Sequence, residues 1–457
     1  MPTPTPTPLP DAVVKVETLN LRAGPGTSYR RLGKLNSGDE LEVIGRNPDG
    51  DWLKVIAPDG TKGWVFAEHV KLNISLDSVP VEKKEARSSS PKFTSAPASS
   101  RASFGAPAPP ASSSFGYGIQ AHFINQDHGP IINAIKALGF NWTKQQIRWE
   151  FFEPSKGQIQ WGEIDRLVDS CEAAGINLML SVVTAPKWAR PAGTDFSVSG
   201  PPANPQDYAD FVGALAARYR GRVEAYEIWN EQNLWYEWGN EPLDAARYVQ
   251  LLKAAYQAIK AQDPNAIVVS GALTPAGSVP GKAIDDIVYL EQMYQAGLKN
   301  WCDAVGAHPS GYNVPPDADW RTWSDPTATF RGPSDNHHHS WVFRGTMEGY
   351  RNVMLKYGDG AKKIWPTEWG WASVDGLGVP PAPGYEYAAD NTAQEQAEWT
   401  VRAFQMGKSW GWVGPMLLWN LNFAPVAGPA DEKAAWSIVL PDWTPRPVYY
   451  ALANMPK

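Results

Sequence analysis

Cysteine is nearly absent, with two residues in 457, Cys171 and Cys302. They fall in different predicted elements, so no disulfide framework organises the chain, and both are expected as free buried thiols. Long apolar runs are missing too; none approaches the roughly 20 residues of a membrane-spanning helix. Basic residues are outnumbered, 41 Lys and Arg against 48 Asp and Glu, which gives a formal net charge of −7. Nucleic acid requires a basic surface, so it is excluded as a partner. The N-terminus MPTPTPTPLP has neither the basic start nor the apolar stretch of a signal peptide. Its Thr-Pro repeat instead suits an extended spacer outside the cytoplasm. The expectation is a secreted or cell-surface protein whose signal or anchor lies upstream of Met1.

Tryptophan is the residue present in excess, at 22 copies. A flat indole face suits stacking on sugar rings, and an aromatic-rich core is its other use.

Composition divides the chain into a spacer at 1–10, a small domain at 11–74, a tether at 75–114 and a large domain at 115–457. The tether, rich in Ser, Ala and Pro, has too few large apolar side chains to order itself. In the small domain, VVKVET, LNLRAG, ELEVIG, WLKVI and GWVFAEHV read as short strands, separated by Asn-Pro-Asp-Gly and Pro-Asp-Gly turns. LNLRAGPGTSY, the strand GDELEV and the late GWV resemble the bacterial SH3-like domain, a small β-barrel. That resemblance implies a cell-wall or other surface ligand, or a simple spacer.

The large domain alternates strand-like runs with helical patterns. The runs fall at 117–123, 141–149, 176–183, 223–230, 266–273, 302–308, 363–370 and 414–421. WGEIDRLVDSCEAAG has amphipathic spacing and a C-capping Gly, and DAARYVQLLKAAYQAIKAQDP stops at Pro264. Eight such units predict an α/β fold, a (β/α)8 TIM barrel, over the alternative of an open doubly wound sheet. No glycine-rich phosphate loop follows the first strand to favour the sheet.

Catalysis in such a barrel sits at the C-terminal strand ends. Glu231 closes the fourth strand in VEAYEIWNEQN and Glu368 the seventh in KIWPTEWGW. Two carboxylates in an aromatic-lined groove suit glycoside hydrolysis, one protonated to donate to the leaving oxygen and one anionic. Glu227, of the same strand parity as Glu231 but deeper, is expected as a buried ion-pair partner.

EIWNEQN and WPTEWGW resemble the strand-four and strand-seven motifs of glycoside hydrolase clan A, over nearly all of 117–455. Within the clan, the AHP turn, the P-x-W turn and KIWPTEWGW look most like family 39. The resemblance implies Glu231 as general acid/base and Glu368 as nucleophile of a retaining enzyme on a polysaccharide or oligosaccharide, with no cofactor. It implies that Asn230 holds the neighbouring sugar hydroxyl, that Arg148 keeps Glu368 ionised, and that His308 and Tyr312 orient Glu368. Trp419 would floor the subsite, and Trp188 and Trp371 would wall it, with Trp235 and Trp238 also in the groove. Many relatives have Pro after the acid/base, where this chain has Gln232. Trp301, Trp399 and Trp410 are expected as packing residues.

His337, His338 and His339 are consecutive, and adjacent side chains diverge, so no metal site is expected. Residues 310–342 around them, with Trp320, Trp323 and Trp341, are expected to form a groove wall. The competing reading of the chain is a non-catalytic carbohydrate-binding or scaffold protein.

Overall fold

In the computed structural model, residues 10–16, 18–25, 31–48, 50–82 and 114–457 are described. The Thr-Pro spacer, except Pro10, and the tether from 83 to 113 lie outside the described residues. The chain divides into two units, 1–106 and 107–457.

The small unit is one antiparallel sheet of seven strands, β1 (Ala12–Val14), β2 (Thr18–Arg22), β3 (Arg31–Asn36), β4 (Glu40–Arg46), β5 (Trp52–Ile56), β6 (Lys62–Phe66) and β7 (Val70–Leu72). Strict alternation in β4 sends Leu41 and Val43 inward, where they meet Leu21, Leu53, Val55 and Val65. Gly60, at φ 83°, makes the turn between β5 and β6, and Asp59 accepts from the Thr61 amide at 2.8 Å. Residues 75–82, placed in the tether by composition, instead pack on this sheet. Val79 is buried, the Arg46 amide donates to Pro80 O at 2.8 Å, and Lys54 pairs with Glu82 at 2.9 Å. Val79, the partly buried Leu76 and the backbone bonds from Arg46 N to Pro80 O and from Glu82 N to Arg46 O outweigh a polar composition there.

The large unit is an eight-stranded parallel barrel of β8 (Tyr117–Gln120), β9 (Trp142–Arg148), β10 (Asn177–Val183), β11 (Ala225–Ile228), β12 (Ile267–Ser270), β13 (Ala304–Ala307), β14 (Lys363–Pro366) and β15 (Met416–Leu418). Each strand lies beside its sequence neighbour and β15 pairs with β8. Backbone bonds from Ile364 to Trp412 and from Gly414 to Ile364 close the remaining seam. All eight predicted runs contain a strand, several of them trimmed at the C-terminal end, where the chain leaves the sheet to form the site. Helices such as Gly162–Ala174, ended by Gly175 at φ 67°, and Ala245–Gln262, capped by Asp244, cover the outside.

Inside the barrel, Trp142, Met179, Ala225, Ile267, Val269, Ala304, Trp365 and Leu417 form a closed apolar layer. Trp142 and Trp365 meet edge to face at 5.3 Å. Two residues further along the same strands, period-2 alternation puts Lys144 above Trp142, Glu227 above Ala225 and Thr367 above Trp365. A charged layer therefore lies directly on a dry one. Cys171 and Cys302 are both free and buried.

Candidate active site

The charged layer is built around Lys144. Its Nζ lies 2.8 Å from Glu227 Oε2 and 2.9 Å from Glu368 Oε1, and the side chains of Lys144 and Glu227 are fully buried. Burial alone would push the Lys144 ammonium down, but the two carboxylates overcome it and raise it. Glu227 is likewise pushed up by burial and pulled down further by Lys144, with help from His308 and from Thr367, whose hydroxyl donates at 2.5 Å. Glu227 is thus the buried ion-pair partner expected of it.

Glu231 follows β11 on a tightly bent backbone. Trp229 has φ 75° and Glu231 has φ 46°, left-handed conformations that cost about 1–3 kcal/mol each in non-glycine residues. Surrounding bonds hold the bend: Trp229 Nε1 donates to Glu237 O at 3.0 Å and the Glu231 amide to Ala272 O at 2.8 Å. Glu231 Oε1 accepts from the Thr274 hydroxyl and lies 2.9 Å from His308 Nδ1. Both of these contacts are made by Oε1. Burial pushes the Glu231 carboxyl up, but His308, Thr274 and Lys144 together hold it below the usual carboxylate range. Lys144 therefore acts on both acids, touching Glu368 and adding to the field at Glu231.

The Asn230 side chain is buried, and its Oδ1 has no hydrogen-bond partner. A buried polar group left unpaired is costly. A third carboxyl, Glu237, is pushed up to about 8, first by burial and then by the charges of Glu231 and Glu368. Its neutral form is thus favoured more than in an ordinary carboxyl.

Several expected roles change. Arg148 does not partner Glu368; it lies on the outer part of the cleft and pairs with Glu150 at 2.6 Å. Lys144, two pleats deeper on the same face of β9, takes that place. His308 orients Glu231 rather than Glu368, because β13 brings it beside the loop after β11. Tyr312 donates to Pro275 O at 3.3 Å and stacks on Trp341 at 4.1 Å, so it too is no partner of Glu368. Trp371 and Trp238 are fully buried. Trp371 donates to Val314 O at 2.8 Å and fills space next to Gly311, where an added Cβ would sit 2.0 Å from its ring. Both are packing residues and not groove walls.

Trp188 is half-buried, donating to Glu153 O at 2.8 Å and packed against Trp149, in the loop after β10. Trp419 is half-buried after β15, tied by its amide to Trp369 O and packed beside Phe423. It borders an aromatic cluster in which Tyr312, Trp320, Trp323, Trp341, Tyr387 and Trp436 join the long loops after β13, β14 and β15. Residues 310–342 thus form an ordered wall. Trp301, Trp399 and Trp410 pack against the main core as expected. Gln232, at the usual Pro position, is buried and donates to Gly271 O at 2.8 Å, which fastens the loop after β11 to β12.

Lys144, Thr274 and Glu237 escaped the sequence reading. A lysine inside the otherwise buried run NWTKQQIRW is a signal for the first; the other two reach the cleft from loops and carry no local signal.

Comparison with known proteins follows this geometry. Residues 17–71 match the bacterial SH3 domain family and residues 109–324 the cellulase family, glycosyl hydrolase family 5. A Bacillus subtilis (strain 168) protein named for N-acetylmuramoyl-L-alanine amidase activity is 33% identical over 57 residues, which are 12% of this chain and 11% of that protein. The chain thus spans about a tenth of that curated relative. A family 39 glycoside hydrolase from Bacteroides cellulosilyticus WH2 superposes with TM-score 0.55 at 18% identity, over 95% of this chain and 76% of that one. A monomeric β-xylosidase from Caulobacter crescentus CB15 gives 0.52 at 19% identity, over 76% and 68%. At these identities the likeness to solved structures is one of fold. Among the described residues no helix is long and apolar enough to cross a membrane. The front unit is thus similar to bacterial SH3 domains, and the barrel matches the cellulase family over 109–324 and has the fold of glycoside hydrolases of clan A.

Proposed function

We propose that the barrel is a retaining glycoside hydrolase acting on a β-linked polysaccharide or oligosaccharide, with Glu231 as acid/base and Glu368 as nucleophile. The observation that carries this reading is Lys144, a single buried cation bonded to Glu368 and felt by Glu231. The two acids have different surroundings, as double displacement requires. Glu368, bonded to Lys144, is the carboxylate that attacks the anomeric carbon and is displaced by water in the second step. Glu231 commits Oε1 to Thr274 and His308 and leaves Oε2 to face the glycosidic oxygen. A sugar seated in the cleft strips water from Glu231, and burial is the largest influence on that carboxyl and the one that raises it. Binding therefore favours the protonated acid. Asn230 supplies the contact to the adjacent hydroxyl and Trp419 an apolar face beneath the ring.

The SH3 unit directs the enzyme to a cell wall or other surface polymer outside the cell, a reading supported by its match to the bacterial SH3 domain family. Its removal is expected to lower co-sedimentation of the chain with purified cell walls, and equal sedimentation refutes the targeting role. For the chemistry, Glu368→Gln is expected to lose about 10⁴-fold or more in turnover on a glycan panel while the fold is kept. Full turnover in that variant refutes the assignment and leaves the non-catalytic binding reading.

A further inference from the structure

The His run does not diverge as consecutive side chains were expected to. His337 turns away, with Nε2 2.8 Å from Trp323 O. His338 is extended, and a short helical turn begins at His339, which swings the last two rings to 4.2 Å centroid separation. Both imidazoles face Asp285: His338 Nε2 is 3.4 Å and His339 Nε2 3.6 Å from Asp285 Oδ2. The three donor atoms lie within 4.8 Å of one another.

The spacing has a specific meaning. Zinc bonds to imidazole and carboxylate of roughly 2.0–2.1 Å place neighbouring tetrahedral ligands about 3.3–3.4 Å apart. Two separations in the cluster fall close to that edge before any metal is added. The ligands are also held from behind. Asp285 Oδ1 caps the helix Asp286–Gln295, accepting from the Ile287 and Val288 amides at 3.0 Å each, so Oδ2 is the free oxygen. His338 Nδ1 lies 2.7 Å from Ser340 Oγ and accepts from the Ser340 amide at 3.3 Å, which fixes the ring with Nε2 toward Asp285, where a metal would displace its proton. Asp286, fully buried, lies 3.0 Å from His339 Nε2 through Oδ1, and its Oδ2 has no hydrogen-bond partner. Two carboxyl groups, Asp285 and Asp286, thus meet the two imidazoles in one place, and a metal ion bound there takes the place of the proton between His339 Nε2 and Asp286. His339 also lines a groove of about 330 Å³ with Trp320 and Glu348, a path for entry.

The geometry points to a transition-metal clip of zinc type, held by His338, His339 and Asp285 with its fourth position open to solvent, that fastens the 310–342 wall to the helix Asp286–Gln295. Two nitrogens and one oxygen suit zinc and its first-row neighbours rather than calcium or magnesium. Neither Glu231 nor Glu368 is among its ligands, and its role is structural.

The rival arrangement is a plain ion pair. If His338 Nε2 keeps its proton and goes on donating to Asp285, no lone pair is offered to a metal. Titration of the chelator-stripped full chain with Zn²⁺, with bound metal counted by elemental mass spectrometry, separates the two. One saturable Zn²⁺ per chain is expected, with affinity lowered at least about 10-fold in His338→Ala and in His339→Ala and unchanged in His337→Ala. Zn²⁺ is also expected to slow proteolysis within 310–342. Because either alanine variant could unfold the wall, Co²⁺ loading of the unmutated chain gives an independent readout, the strong visible absorption of a tetrahedral centre. No saturable Zn²⁺ binding, equal affinity in the properly folded alanine variants, or no such Co²⁺ spectrum overturns the clip and leaves the ion pair.

Discussion

Replacing Lys144 with Met removes the one cation shared by two carboxylates without opening a large void. Glu227 then stays fully buried with its charge unpaired, and breaking a buried pair by removing one partner costs about 3–5 kcal/mol. At ~2 °C per kcal/mol for a large domain, the barrel should melt roughly 6–10 °C lower. The sign with pH follows from Glu227. Its folded-state carboxyl is held below the usual range by Lys144, so its stabilising contribution is present above the unfolded value, near pH 4.3, and is lost as pH falls through the folded value. The deficit of Lys144→Met should therefore be widest at neutral pH and close under acid. Adding Glu227→Gln should restore more than half of the loss, since removing both partners of a buried pair is far milder than removing one. Turnover should stay low in the double variant, because Glu368 still lacks its cation. Urea unfolding at neutral and acid pH, paired with turnover assays, reads all three. A single variant within about 1 kcal/mol of the parent, or no recovery in the double variant, refutes the reasoning.

Three further outcomes follow from the site. Glu231→Gln should lose about 10²–10⁴-fold in kcat/KM on natural glycosides but far less on glycosides with an activated phenol as leaving group, which needs no proton; equal losses would remove Glu231 from the acid role. His308→Asn should move the Glu231 limb of the kcat/KM profile to higher pH, since His308 is what chiefly offsets burial at that carboxyl, and an unmoved limb contradicts this. Trp371→Ala should cost about 3–5 kcal/mol in stability, as for other large buried side chains, whereas Trp419→Ala should raise KM with little change in unfolding; the reverse pattern would exchange their roles.

The barrel was legible because eight apolar runs alternating with amphipathic helices admit few other closed folds. Glu231 and Glu368 stand out as candidates because a carboxylate ending a buried strand has no folding rationale. The partners of those acids were not legible, and the reason is geometric. Arg148 and Lys144 share one face of β9, and sequence cannot say which pleat reaches Glu368. His308 ends a strand between those carrying Glu231 and Glu368, so either acid was within its reach until the loop after β11 bent back at Glu231. Trp371 and Trp238 sit beside catalytic motifs, yet indole burial is decided by loops far away in sequence, such as the one carrying Gly311 and Val314. The same limit hid the meeting of His338 and His339 with Asp285, 53 residues before His338.

The most direct test of the central claim is covalent trapping. Incubation with a panel of fluorosugar glycosyl fluorides, which accumulate the glycosyl-enzyme, followed by peptide mass mapping, should place a single adduct on Glu368. An adduct on Glu231 or any other residue would contradict the account.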